Sequence, residues 1–266
     1  MAILTLTGEL GSGRKVVGEA LAALLKYQYV SRQNILTSLG ELGNRWAEWG
    51  KEFDAHCPTI WERYDWSYMA FKAQIQALYL SHALEDKVIL VGRGGNFLLR
   101  DVPYVLSARI TAPLQVRVER MMKKEEISRE AAEWLVEKTD SDSSCYINSM
   151  YGKRWDDPKE YDLVLDTSVQ SVEAIVKSLK DALLDKERFN TQEARILLRA
   201  RAQAAKVKAG LLSDPHTFVP TLDVLAVDGG LAVRGIVHNP AEQRKIEDAV
   251  RALAGTTVVK FELHYR

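Results

Sequence analysis

The chain has 266 residues, 47% of them apolar, which is enough for one large domain, or a large and a small one, around a packed core. Thirty-six basic residues balance thirty-six acidic ones; this excludes a global electrostatic footprint for nucleic acid or a membrane surface and confines any anion site to a local feature. No apolar run approaches bilayer length and no basic segment leads into an apolar signal core, so the expectation is a soluble cytoplasmic protein without nucleic-acid or integral-membrane partners.

The chain opens on an alternating strand, Ile3 to Thr7, that runs into the turn Gly8-Glu9-Leu10-Gly11-Ser12-Gly13-Arg14-Lys15. Apolar residues at 17, 20, 21, 24 and 25 then follow helical spacing. Strand, glycine loop and helix in that order suit a phosphate: the glycines let backbone amides face an anion, and the helix adds the positive end of its dipole. Gly8 and Gly13 have the spacing of a phosphate loop, but Arg14 stands where its lysine belongs and Lys15 where a hydroxyl would bind magnesium.

Tyr27 to Val30 reads as a short strand, with Ser31 capping a helix from Arg32. Residues 40–66 hold four of the six tryptophans and read as a helical flap packed on a core, with base stacking as the other use of those rings. A long helix, Ser67 to Leu84, precedes the apolar run Val88 to Val91. That run predicts a strand buried on both faces, feeding a second glycine turn in which Arg93 is the candidate anion contact.

Val105 to Ile110 predicts a further strand, and Pro113 opens a helix carrying Arg117 and Arg120 on one face. Another helix starts at Ser128 and is expected to stop near Lys138, before a mobile polar stretch, Thr139 to Ser144. The strand Tyr161 to Thr167 and the helix Val172 to Leu184 close this part, so the alternation predicts a mostly parallel sheet covered on both sides. The remainder reads as helix (Thr191 to Lys208), a hairpin turning at Asp228-Gly229-Gly230, helix (Pro240 to Ala254) and a last strand from Val258. Only Cys57 and Cys145 occur and the five histidines are scattered, so no zinc site or disulfide framework is implied.

Several of these stretches together resemble one family. They are Glu9-Leu10-Gly11-Ser12-Gly13, Val88 to Gly92 with Arg93, Leu99-Arg100-Asp101-Val102-Pro103, and Ala112-Pro113-Leu114 with Arg117 and Arg120. Tyr146 with Gly152 to Pro158, and Tyr161-Asp162-Leu163 with Thr167-Ser168, complete the set. In this order they are similar to the cytidylate kinase-like branch of the P-loop nucleoside monophosphate kinases. The C-terminal part is similar to the BON domain, through Val227-Asp228-Gly229, Gly235, the helix from Pro240 and Gly255. The resemblance implies an α/β fold, a P-loop kinase-type parallel sheet flanked by helices over residues 1–187, with a small α+β BON-like domain over 188–266.

It also implies transfer of the ATP γ-phosphoryl group to a nucleoside monophosphate, CMP or dCMP, with Mg2+. Gly8, Gly11, Ser12, Gly13, Arg14 and Lys15 would hold the donor phosphates, Arg117 would lie near the donor nucleotide, and Arg32 and Arg93 would serve the acceptor. Arg14, Lys15 and Arg93 are then the catalytic candidates, since positioning and charge neutralisation carry phosphoryl transfer. Three departures stand out. The family's basic lid here reads Asp140-Ser141-Asp142-Ser143-Ser144, Ser31 stands where an aspartate is usual, and Gly94 follows Arg93 where an aspartate would help read the base. Lys153 and Arg154, just beyond the lid, are candidates to replace its charge. The alternative is a catalytically inactive nucleotide-binding regulator that signals through its BON-like domain to a protein or phospholipid partner.

Overall fold

A computed structural model describes residues 1–54, 57–92 and 94–266; Arg93 lies outside the described residues. In chain order the elements are β1 (Ile3–Gly8), α1 (Arg14–Leu25), β2 (Gln28–Val30), α2 (Arg32–Glu41), α3 (Asn44–Phe53), α4 (Ile60–Tyr64), α5 (Trp66–Ala83), β3 (Val88–Val91) and α6 (Gly95–Leu98). There follow β4 (Val105–Thr111), α7 (Leu114–Glu125), α8 (Arg129–Tyr151), β5 (Leu163–Asp166), α9 (Val172–Glu187), α10 (Gln192–Ser213), β6 (Asp223–Val227), β7 (Gly230–Val237), α11 (Pro240–Ala254) and β8 (Val259–Tyr265). The chain divides into two compact units: residues 1–34 with 85–191, and residues 35–84 with 192–266. The second unit thus combines a segment from the first third of the chain with the C-terminal part.

In the first unit five parallel strands lie in the order β2-β3-β1-β4-β5. Central β1 is buried along its whole length, including both threonines that made its sequence look amphipathic. Each is satisfied inside: Thr5 Oγ1 donates to the Leu106 carbonyl at 3.4 Å, and Thr7 Oγ1 accepts from Trp155 Nε1 at 3.2 Å. Leu4, Leu6, Ile89, Leu106 and Ile110 of the sheet pack with Val17 and Leu21 of α1 and Ile175, Leu179 and Leu183 of α9. Apolar burial on this scale is the main force ordering the sheet.

The largest local difference from expectation is α8, which runs unbroken from Arg129 to Tyr151 through the stretch expected to be mobile. Ser128 caps it as anticipated, its hydroxyl accepting from the Ala131 amide at 3.3 Å. Val118 and Met121 of α7 pack with Ala132 and Val136 of α8, which anchors the front half. At the far end Tyr151 packs so closely on Gly94 that a Cβ there would lie 2.3 Å from its ring, and Gly94 also has φ +75°. An aspartate at position 94 would force the Tyr151 ring to shift and would have to take a left-handed conformation that glycine adopts without penalty.

In the second unit β6 and β7 pair antiparallel, β8 adds to β7 in parallel, and α10 and α11 cover a core of Val207, Leu211, Val224, Val233, Ile246 and Val250. Ala73 of α5 packs with Ala209 and Leu212 of α10. Trp46, Trp49, Phe53, Trp66, Tyr68 and Phe71 form a chain of tilted and edge-on ring contacts with centroids 5.1–6.4 Å apart, so the aromatic segment does pack, although Trp61 is 86% exposed. Arg45 lies over Trp46, Trp49 and Trp66, and Arg45 and Trp66 donate to the carbonyls of Ser213 and Leu212 that end α10. Neither Cys57 nor Cys145 is a free thiol; both are disulfide-bonded, which two cysteines without motif spacing did not announce. Among the described residues no helix is long and apolar enough to cross a membrane.

Candidate functional site

The glycine loop joins the carboxyl end of β1 to the first turn of α1, beside the Gly92 turn that ends β3. Gly11 and Gly13 have φ of +78° and +85°, a left-handed conformation that glycine takes without the penalty other residues incur. Space demands glycine too. A Cβ on Gly8 would lie 2.5 Å from the Ile110 carbonyl, and one on Gly11 2.9 Å from that of Arg117.

The loop carbonyls are held from outside. Leu10 O accepts from Arg117 Nη1 at 3.2 Å, Gly11 O from Arg120 Nη1 at 3.1 Å, and Ser12 O from Thr167 Oγ1 at 2.7 Å. Gly8 O accepts from Arg14 Nη1 at 3.1 Å, and Glu9 O accepts the Ser12 amide at 3.2 Å within the turn. Every peptide bond here is trans, so the amide following each carbonyl points the opposite way. The amides of Gly11 and Gly13 therefore face away from Arg117 and Thr167, and neither has an acceptor among the described residues. Ser12 is fully buried with its hydroxyl unpartnered among the described residues, and the first amides of α1 have no intrahelical acceptor by virtue of their position. Donors with nothing to donate to define an anion seat.

Behind the loop lies a buried ion framework. Arg109 and Arg117 are only 4% and 7% exposed. Glu9 Oε1 pairs with Arg109 Nη2 at 2.9 Å, and Glu9 Oε2 stands 3.6 Å from Arg117 Nε, an ion pair too long for a hydrogen bond. Arg117 also donates to the Ala112 carbonyl at 3.0 Å and pairs with Asp140 Oδ2 at 2.6 Å. Arg109 donates to the Trp155 carbonyl at 2.6 Å and lies over the rings of Trp155 and Tyr161 at 4.4 and 5.7 Å. Burial pushes the Tyr161 phenol above its usual pKa, and Arg109 works against that rise.

The structure thus gathers Gly8, Gly11, Ser12, Gly13 and Arg14 at one turn, with Arg14 Nη1 3.8 Å from where a Cβ on Gly92 would stand. Lys15 does not join them: its side chain is 75% exposed and its ammonium is 3.8 Å from Glu19. Arg117 stands behind the loop in four protein contacts rather than open to a nucleotide, and Arg32 is exposed at the start of α2. The candidate replacements for lid charge are engaged elsewhere, Lys153 3.8 Å from Glu160 and Arg154 2.9 Å from Asp156. Sequence reading had no role for Arg109 or Thr167, and left Arg120 either to reach a nucleotide or to solvate its helix. The signals were an arginine inside an otherwise apolar strand, the Arg117/Arg120 spacing and the Thr167-Ser168 pair after the last strand.

The profile of the cytidylate kinase-like family matches residues 3–169. Two proteins named cytidylate kinase are similar to this chain. That of Pyrococcus abyssi is 31% identical over 69% of this chain and 96% of its own length, and that of Methanosarcina barkeri is 31% identical over 68% and 95%. The crystal structure of an uncharacterized protein from Eubacterium ventriosum superposes with a TM-score of 0.52 at 20% identity, over 68% of this chain and 99% of that one, which is a likeness of fold.

Proposed function

Because this chain belongs to the cytidylate kinase-like family, we propose that it is an ATP-dependent nucleoside monophosphate kinase acting on CMP or dCMP. The observation that carries this reading is the glycine loop, whose carbonyls are all occupied and whose Gly11 and Gly13 amides are left to donate. ATP supplies the transferable γ-phosphoryl group. Its phosphates would be held by Gly11, Ser12, Gly13 and Arg14, and the acceptor phosphate by Arg93 and Arg32. An acceptor phosphate oxygen bonds to the γ-phosphorus as the bond from that phosphorus to the bridging oxygen breaks, and ADP leaves. The chain's task in this reaction is to hold both partners in line and offset charge.

Among the described residues magnesium finds no protein cage. Lys15 replaces the loop hydroxyl, and the described residues contain no group of three candidate ligands. Any Mg2+ would travel on the nucleotide's phosphates, as is common for that ion. For the C-terminal part we propose a BON-like domain with a protein or phospholipid partner, and for the whole chain a cytoplasmic place. The family's basic lid is absent from α8, where Asp140 and Asp142 stand, which favours the regulatory alternative to the extent that turnover is slow.

A coupled assay of ADP formation against a panel of nucleoside monophosphates tests the proposal. The expected result is ADP released faster with CMP or dCMP than with no acceptor. ATP binding without acceptor-dependent ADP would replace the kinase with the nucleotide-binding regulator, and absence of ATP binding would remove both.

A further inference from the structure

The sheet of the second unit runs β6-β7-β8 and ends on two strands of different kinds. β6 has five residues and carries Asp223, paired with Lys208 of α10 at 2.7 Å, a short and charged edge of the sort that resists further pairing. β8 has seven residues, Val259–Tyr265, in unbroken register with β7 and with neither proline nor glycine. Its ladder fixes which backbone groups are spent. The Leu231 amide donates to the Val258 carbonyl at 2.9 Å and the Arg266 amide to that of Val237 at 3.1 Å, so the even-numbered residues of β8 face β7. The N–H and C=O groups of Val259, Phe261 and Leu263 therefore point away from the sheet, and they have no partner among the described residues. We propose that β8 pairs antiparallel with β8 of a second copy of this chain, joining two three-stranded sheets across a two-fold axis at Phe261. This goes beyond the partner suggested for the C-terminal part and does not depend on what the glycine loop binds.

One register suits both strands at once. Antiparallel neighbours exchange hydrogen bonds between residues directly opposite one another, so the outward-facing odd-numbered residues must meet odd-numbered ones. Setting Phe261 against Phe261 of the copy puts Val259 opposite Leu263 and Lys260 opposite Glu262, each twice over by symmetry. Shifting the centre by one residue sets Glu262 against Glu262 or Lys260 against Lys260, and like charges directly opposite destabilise a strand pair. The charges thus select the register that the backbone allows. Val259, Phe261 and Leu263 pack on the core of this unit yet stay only partly buried, and the pairing covers them with their own copies. Arg251 lies over the Phe261 ring at 5.5 Å and is itself matched by Glu247 and Asp248 at 2.9 and 3.2 Å, so the two copies bring no unpaired cation together there.

Sedimentation velocity of the full chain over a concentration series tests the pairing. The wild type should pass from monomer to dimer with a dissociation constant of about 1–100 μM, as a small interface gives. Lys260→Glu and Glu262→Lys each set like charges opposite one another in both halves of the pair, and each should weaken the dimer about tenfold or more. Mixed in equal amounts, the two variants meet opposite charges in each other and should dimerise where neither does alone. Amide hydrogen exchange reads the wild type independently. The Val259, Phe261 and Leu263 amides should exchange more slowly as concentration rises, while those of Lys260 and Glu262, already spent on β7, should not change. A monomer throughout the series, a dimer indifferent to both substitutions, a mass that grows past the dimer, or folded variants whose mixture stays monomeric overturns the proposal. Should either variant not fold, the exchange pattern decides alone: slowing confined to the three odd-numbered amides supports the pairing, and its absence in the dimer contradicts it.

Discussion

The two units are held together by different means. In the first, two arginines less than a tenth exposed, Arg109 and Arg117, are matched by Glu9, Asp140 and main-chain carbonyls behind a glycine loop. In the second, rings and small apolar residues carry the packing, and its cation over the tryptophans, Arg45, is exposed. Burying charge is expensive unless every donor and acceptor is met, and replacing a buried pair by apolar side chains is often no loss to stability. A unit that keeps such a framework beside one turn of backbone is therefore using it to hold that turn in one shape.

Removing a member of the framework should sharpen this contrast most. Arg109→Met leaves one Glu9 oxygen without its donor and the Trp155 carbonyl with the Tyr161 hydroxyl alone, and should cost about 3–5 kcal/mol, read as lowered stability in urea. A loss below about 1 kcal/mol would mean the framework is slack. Next comes Gly11→Ala, which forces a Cβ to within 2.9 Å of the Arg117 carbonyl at φ +78°. It should weaken ATP binding about tenfold or more, since a left-handed alanine alone costs about 1–2 kcal/mol; unchanged affinity would show that the loop adapts.

In the second unit Trp66→Phe keeps an aromatic ring, a smaller one, but loses the bond to the Leu212 carbonyl, and should cost about 1–2 kcal/mol without altering ATP affinity. Lost nucleotide binding in that variant would break the division of labour drawn above. The smallest effect is Tyr161→Phe, which removes a 2.8 Å bond to the Trp155 carbonyl worth about 1 kcal/mol at neutral pH. Because burial raises the folded phenol's pKa above 10.0, that advantage is complete below the unfolded value and fades as pH climbs past 10.0 toward the raised one. Urea melts of both proteins should therefore converge in that alkaline window; a gap that widens there would contradict the sign.

Strand and helix order was legible because apolar runs such as Val88 to Val91 and the spacing of α1 and α11 belong to the backbone's own periods. The loop was legible because its glycines are demanded locally. Arg109 was not: a charged residue in a strand reads as solvent-facing until its partners, Glu9 and the Trp155 carbonyl, are brought to it from 100 and 46 residues away. The continuation of α8 through Asp140 to Ser144 was equally hidden, since serine and aspartate disfavour helix interiors and here are held by Arg117 and Lys138. Nor could local pattern assign residues 35–84 to the C-terminal part, a grouping that depends on Ala73 meeting Ala209 and Leu212.

The account turns on two main-chain N–H groups. Amide spectra of 15N-labelled protein read them directly as ATP is added. The Gly11 and Gly13 signals should shift downfield together and saturate with the binding curve, as hydrogen bonds to phosphate form. Binding that leaves both signals in place, with changes elsewhere in the chain, would contradict it.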